Sequence, residues 1–292
     1  MFINPQILSF LKLDFKIKPL FTFNGINAAS GIVYDKNNVY VVSDNSNFLY
    51  RYNLISKKSV KIPLNNSAQE NIEKKLKPDF ECISLYRNKL WLIGSGSNSN
   101  REKWLVFDIN KEKITEKNQS KFYKKLREIS NLNDDELNIE GIIFTHKYIL
   151  LFQRGNGLNQ RNGIFVSDKK QGNINYFSIE LPTINNIKTT FTDAILINNY
   201  IYFLASAEKT SSTYLDGEIC GSILGIMCAT SFEIKHTFLL SNHSKFEGIA
   251  YYKKNKTKLE FLLCEDKDSE ETNSVIFKLS LDKNKLKQNF AY

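Results

Sequence analysis

Apolar residues along this chain come in short runs separated by polar turns, and one arrangement of them recurs five times. The stretches are "ASGIVYDKNNVYVVSD", "DFECISLYRNKLWLIGS", "NIEGIIFTHKYILLFQR", "FTDAILINNYIYFLASA" and "KFEGIAYYKKNKTKLEFLLCE". Aligned on a polar residue, a small residue and an isoleucine, they begin at Ser30, Glu81, Glu140, Asp193 and Glu247, with steps of 51, 59, 53 and 54 residues. A period near 50 made of strand-length runs marks a β-propeller, one four-stranded sheet per repeat. In the first repeat the strands are expected at 31–34, 39–43, 48–54 and 59–63, the first two joined by the tight polar turn "DKNN".

Five motifs at this period fill the chain, so the expected fold is all-β: one propeller of five four-stranded blades over residues 1–292. A sixth, degenerate blade built from the two termini is the alternative. An open ring would leave sheet edges bare. "FKIKPLFTF", residues 15–23, is therefore expected to close the ring as outer strand of the last blade. A helical insertion is expected at residues 120–132, where Phe122, Leu126, Ile129 and Leu132 follow helical spacing. "NSAQENIEKKLKP" reads as a similar, shorter excursion before the second motif.

Composition narrows the partners. The net charge is +9, but only six of 40 basic residues are arginine and the lysines are dispersed, which argues against nucleic-acid recognition. No run of 18 apolar residues suggests a membrane span. The N-terminus lacks a basic segment followed by a clean apolar one, which points to the cytoplasm. Nothing in the pattern calls for an oligomer, and a monomer is favoured. Four cysteines without C-x-x-C spacing read as small buried residues, and three scattered histidines do not make a zinc site.

Candidate chemistry lies in two columns. Ser30, Glu81, Glu140, Asp193 and Glu247 each open an inner strand and should ring one mouth of the channel. Fourteen residues further on stand Asp44, Ser95, Arg154 and Ala207, with Glu208 directly after and Glu265 or Asp266 in the fifth repeat. Carboxylates so close need a partner. One choice is Ca²⁺, held by Glu81, Glu140, Asp193 and Glu247, which would also be the catalytic ligands or general base. The others are ion pairing with Arg154, Arg101, Arg161 or Lys245, and a cationic ligand. Arg101, Arg154, Arg161, Asp44, Glu208 and Asp266 form the expected substrate shell, on loops that also carry Tyr214, Asp216, Glu218 and Asp268. The simplest reading of any one acid is a hydrogen-bonded lock between blades. Phosphate-loop and nucleophile-elbow motifs are absent.

The stretches "KPDFE", "GSGSNSNR", "LNIEG", "FQRGNG", "ASAEKTSSTYLDGEICGSILG" and "KFEGIA" with "EDKD" together resemble a bacterial propeller family, domain-of-unknown-function family 6929. The likeness runs from about residue 30 to 279 and extends to esterase-like phytase propellers. It implies a propeller with acids, arginines and glycines on one face. It brings no activity with it. Three readings stay open. One is a metal-dependent hydrolase of a small ester, lactone or phosphoester. The others are a propeller binding a small molecule or protein, and a scaffold.

Overall fold

The computed structural model describes residues 15–26, 28–155, 157, 159–209, 217–267 and 273–289. The chain enters through β1 (Phe15–Asn24). The first blade follows as β2 (Ala29–Asp35), β3 (Asn38–Ser43), β4 (Phe48–Asn53) and β5 (Lys58–Pro63), and the second as β6 (Phe80–Tyr86), β7 (Lys89–Gly94), β8 (Lys103–Asp108) and β9 (Lys113–Asn118). Helix α1 (Ser120–Ser130) precedes the third blade, β10 (Ile139–Phe144), β11 (Tyr148–Gln153), β12 (Gly163–Asp168) and β13 (Ile174–Ser178). The fourth comprises β15 (Ile187–Ile197), β16 (Tyr200–Lys209), β17 (Glu218–Cys228) and β18 (Ile234–Ser241), with β14 (Thr183–Ile184) hairpinned onto the start of its inner strand. The fifth is β19 (Lys245–Lys254), β20 (Lys258–Asp266) and β21 (Asn273–Asp282), followed by α2 (Lys283–Asn289).

Among the described residues these strands form five antiparallel sheets, and β1 completes the last by pairing with β21. The ring therefore closes by borrowing its own first strand, and the described residues form no sixth blade. The outer position suits the sequence: Pro19 has no N–H to give a ladder, and the register slips between Pro19 and Phe21. Five apolar clusters hold the ring. Each lies between two neighbouring sheets, including one in which Phe23, Ile32, Val41, Leu262 and Ile276 join the last blade to the first. Inner strands buried on both faces read as near-continuous apolar runs for this reason.

Helix α1 packs Tyr123 and Leu126 into the core between blades 2 and 3. Of the expected apolar face, Leu126 and Leu132 are buried and Phe122 packs on the same cluster, but Ile129 stays 36% exposed and Tyr123 and Ser130 are buried instead. The segment before the second inner strand contains no helix. It runs irregularly over the first blade, tied by Asn47 N–H to Gln69 O, Ile72 N–H to Asn45 O and Asp79 N–H to Asp44 O. No helix among the described residues is long and apolar enough to cross a membrane.

Candidate functional site

Each inner strand begins with a β-bulge at the same place. The register slips between Ala29 and Gly31, Phe80 and Cys82, Ile139 and Gly141, Phe191 and Asp193, and Phe246 and Gly248. The extra residue of a bulge is turned out of the ladder, and bulges of this kind re-aim side chains at the rims of closed sheets. The re-aimed residues are Ser30, Glu81, Glu140, Thr192 and Glu247. The fourth motif is thus offset by one from its sequence alignment: Thr192 holds the ring position, and Asp193 stands where the other blades carry Gly31, Cys82, Gly141 and Gly248. The second column becomes Asp44, Ser95, Arg154, Ser206 and Asp266.

Two of the five ring positions are locks. Ser30 Oγ donates to Phe80 O of the next blade at 2.8 Å, and Thr192 Oγ1 donates to Phe246 O of the next blade at 2.8 Å. Asp193 is a lock as well. Its carboxylate accepts Ile249 N–H at 2.8 Å and its neighbour Ala194 N–H at 2.7 Å. In the glycine positions there is no room for such a group. A Cβ on Gly248 would lie 2.5 Å from Cys264 Sγ, and one on Gly141 would sit 3.1 Å from Ala194 N. Burial drives the Asp193 carboxyl well above its ordinary range, against the pull of the two amides.

The remaining positions carry glutamates, and they divide into two charge clusters. On blades 1 and 2, carboxylate oxygens of Asp44, Asp79 and Glu81 all lie within 4.8 Å of one another. The Lys77 ammonium bonds Asp44 and lies 2.9 Å from Asp79. Arg101 Nη1 meets Asp79 at 2.9 Å and Ser97 Oγ at 2.7 Å, while Ser95 Oγ also donates to Asp79. Although burial works the other way, Lys77 and Arg101 hold the Asp79 carboxyl below its usual range. Glu81 feels the charge of Lys77 but is bonded by neither cation. It is 9% exposed and makes no hydrogen bond or ion pair among the described residues. Burial, then the charges of Asp79, Glu140 and Asp44, push its carboxyl well up. Asp44 Oδ1 is buried without a hydrogen-bond partner too.

Helix α1 fixes this side of the mouth. Tyr123 OH donates to Gly94 O, and Arg127 bonds Gly96 O and Glu102 Oε1. Gly96 has φ +77, and a Cβ there would meet the Tyr123 ring at 2.3 Å. The braced loop then closes in a single 3-10 turn, Ser99–Arg101, capped by Asn98, which points Arg101 at Asp79.

On blades 3 to 5 the acids have partners. Arg154 reaches from blade 3 to Glu140 at 3.2 Å, to Glu208 of blade 4 at 2.6 Å and to within 4.0 Å of Glu247 of blade 5. Lys245 lies 2.9 Å from Glu247, 3.3 Å from Glu208 and 3.7 Å from Asp266. Between them, Arg154 and Lys245 overcome burial and hold Glu208 down at about 2. Glu140 is different. Burial, relieved in part by Arg154 and reinforced by the charge of Glu247, raises it to about 7. Its Oε1 also accepts Asn138 Nδ2 at 2.7 Å.

Of the residues expected at the mouth, Glu81, Glu140, Glu247, Asp44, Arg154, Glu208 and Asp266 fall in these two clusters, joined by Arg101. Arg161 lies apart, tied to Glu136 at 2.7 Å and to Asn131 O. Glu218 pairs with Lys209, both exposed, at the facing ends of β17 and β16. Tyr214, Asp216 and Asp268 lie outside the described residues. Missed in the sequence were Lys77, Asp79 and Asn138. A usable signal was present, because Asp79, Asn138 and Lys245 all stand two residues before a bulge glutamate.

A family model described as a family of unknown function, DUF6929, matches residues 25–281. The chain belongs to that family. No curated protein matches its sequence. Among solved structures it is similar to an exo-1,5-alpha-L-arabinanase from a bovine ruminal metagenomic library (9% identity, TM-score 0.54, 87% of this chain and 94% of that one). It is similar to Myxococcus xanthus glutaminyl cyclase (9%, 0.52, 91% and 96%). It is also similar to the PQQ-bound aldose sugar dehydrogenase of Streptomyces coelicolor (9%, 0.52, 91% and 98%). At such identity the likeness shows the propeller fold alone.

Proposed function

We propose that the channel mouth holds a divalent cation on Asp44, Asp79 and Glu81 and hydrolyses a small ester or lactone. The observation that carries this is Glu81, a residue 9% exposed whose carboxyl has no hydrogen bond or ion pair among the described residues and lies within 4.8 Å of two other carboxylates. Lys77 and Arg101 satisfy Asp79, and Lys77 reaches Asp44, but neither bonds Glu81. An all-oxygen donor set with an orphaned Asp44 Oδ1 suits Ca²⁺. When bound, the ion would supply Lewis-acid polarisation and an activated water.

The chain's own groups fit the rest of the reaction. Glu140, titrating near 7, is poised to take and return a proton at neutral pH. Arg154 of the same blade anchors it at 3.2 Å. At the mouth seven carboxylates (Asp44, Asp79, Glu81, Glu140, Glu208, Glu247, Asp266) face four cationic groups already engaged with them (Lys77, Arg101, Arg154, Lys245). That balance favours an uncharged ester or lactone over a phosphoester. In this reading Glu140 and Glu247 serve proton transfer and charge balance, and Asp193 serves the ring.

A second reading rests on Lys77, whose ammonium already sits between Asp44 and Asp79, so that a cation must displace it. If Lys77 is a permanent counter-ion, the mouth is a binding or scaffold surface. Calorimetric titration with Ca²⁺ separates the two. One ion per chain, with Tm raised by about 4 °C at a hundredfold excess over Kd, supports the cation site. Lys77→Met should then tighten binding and Glu81→Gln should abolish it. No heat and no Tm shift in either the natural chain or Lys77→Met would leave only the second reading.

A further inference from the structure

A cleft of about 440 Å³ follows the seam between blades 2 and 3, well away from the mouth. It begins at the hairpin turns on the opposite end of the ring, where Arg87 and His146 stand, and runs outward past Trp91 and Trp104 to Gln119, where α1 starts. Glu81 and Tyr86 mark the two ends of β6, about 16 Å apart along an extended strand. The walls are aromatic. Trp91 meets Phe144 with centroids 4.9 Å apart, and Tyr86 stacks on Phe144 at 5.2 Å.

Among the described residues every charged group lining the cleft is basic, and no carboxylate does so. Lys169 Nζ lies 3.9 Å from the centre of the Tyr86 ring, Lys117 Nζ lies 5.6 Å from that of Trp91, and Arg87 sits 5.2 Å over Tyr86. All three basic residues are exposed. Ring faces with cations on flexible stems beside them match one ligand chemistry: a planar aromatic ring that carries an anionic group. The ring stacks where an ammonium now rests, and the ammonium, which for Lys169 also donates to Thr145 O, turns to meet the anion. The volume lies in the range of small-molecule sites. A cationic ligand would face repulsion from three sides.

We propose that this seam is a second binding site, independent of the mouth, for an aromatic phosphate or carboxylate of about mononucleotide size. The chain's two tryptophans, Trp91 and Trp104, both line it, so intrinsic fluorescence reports on this site. Adenosine monophosphate should give a saturable change with Kd below about 1 mM, while adenosine and inorganic phosphate alone bind at least about tenfold more weakly. A saturable response to 4-hydroxybenzoate but not to the nucleotide would support the site with a carboxylate as its anion. Lys117→Glu and Lys169→Glu, both on exposed side chains, should each weaken binding about tenfold or more. Glu81→Gln should leave it unchanged, which separates this proposal from the cation site. No saturable response to either aromatic anion, or full affinity in both lysine variants, would overturn it.

Discussion

Replacing Arg154 by methionine tests whether one guanidinium allows the acids of three blades to share a channel. The side chain is 15% exposed and reaches Glu140 and Glu208. Glu208 is held at about 2 against an ordinary 4.5. At about 1.4 kcal/mol per unit this is roughly 3 kcal/mol of stabilisation at neutral pH, net of burial, supplied by Arg154 and Lys245 together. Removing one member of a buried pair typically costs about 3–5 kcal/mol. We therefore expect Arg154→Met to lose about 3 kcal/mol at pH 8. For a chain of this length that is about 5 °C in Tm.

The sign with pH follows from the direction of the shift. A carboxyl with a depressed folded pKa contributes stability above its unfolded pKa and loses it as pH falls through the folded one. Without Arg154 the Glu208 carboxyl moves up and takes a proton, so the deficit shrinks by about 1.4 kcal/mol for each pH unit below its new value. Urea unfolding followed by tryptophan fluorescence and circular dichroism, at pH 8 and pH 4, measures both numbers. Adding Glu208→Gln to Arg154→Met should restore much of the loss at pH 8, because the orphaned charge is gone. A deficit below about 1 kcal/mol at pH 8, or one equal at both pH values, would refute this account of the network.

Glu140 predicts the opposite slope. Its raised value of about 7 gives stability that is present below pH 4.5 and lost as pH rises through 7, so Glu140→Gln should be more stable than the natural chain at pH 8 by up to about 3 kcal/mol and no more stable at pH 4. Deleting residues 1–24 removes β1, bares the edge of β21 and takes Phe23 out of the core; melting should lose cooperativity or fall by more than about 10 °C, and an unchanged Tm would mean that closure is made elsewhere. Thr192→Val leaves the buried Phe246 carbonyl without its donor and should cost about 1–3 kcal/mol in urea unfolding. Gly96→Ala meets both a positive φ and the Tyr123 ring, so it should release Arg101 and lower Tm even though the residue touches no carboxylate.

The parts of this fold that repeat were legible. The period, the five sheets and the closing role of β1 follow from apolar runs whose spacing must match sheet geometry. The one-residue slip in the fourth blade was not. "TFTDAIL" offers Asp193 beside an alanine and an isoleucine, which imitates the Glu-Gly-Ile frame, and only the pairing of Phe191 with Ala205 shows that Thr192 is the bulge. In α1 the burial of Leu126 was legible but that of Tyr123 was not, since Tyr123 is recruited by the carbonyl of Gly94 rather than by helical periodicity. Lys77 and Asp79 were hidden because an irregular segment places them, and irregular backbone has no period to read. Who pairs with whom across the channel depends on side-chain reach between blades 50 residues and more apart. Arg154 could thus be placed in the second column and its pairing with the ring acids expected as one option, but not which acids of which blades it reaches.

The bulge explains why the same local frame recurs, and the identity of its residue separates structure from chemistry. Any polar group turned out at that point is buried between two blades and must find a partner. A hydroxyl finds one with no charge to neutralise, as Ser30 and Thr192 do by donating to the next blade's carbonyl. A glutamate there accepts the full burial penalty of a carboxylate and needs an added cation or a raised pKa to persist. If the position were needed only to lock the ring, serine or threonine would serve in all five blades at lower cost. Blades 3 and 5 instead carry Glu140 and Glu247 and recruit Arg154 and Lys245 to hold them. Blade 2 carries Glu81 and, among the described residues, recruits nothing that bonds to it. The folding of the ring explains none of the three glutamates, and Glu81, the one left without a bonded cation among the described residues, is where a bound cation would do most.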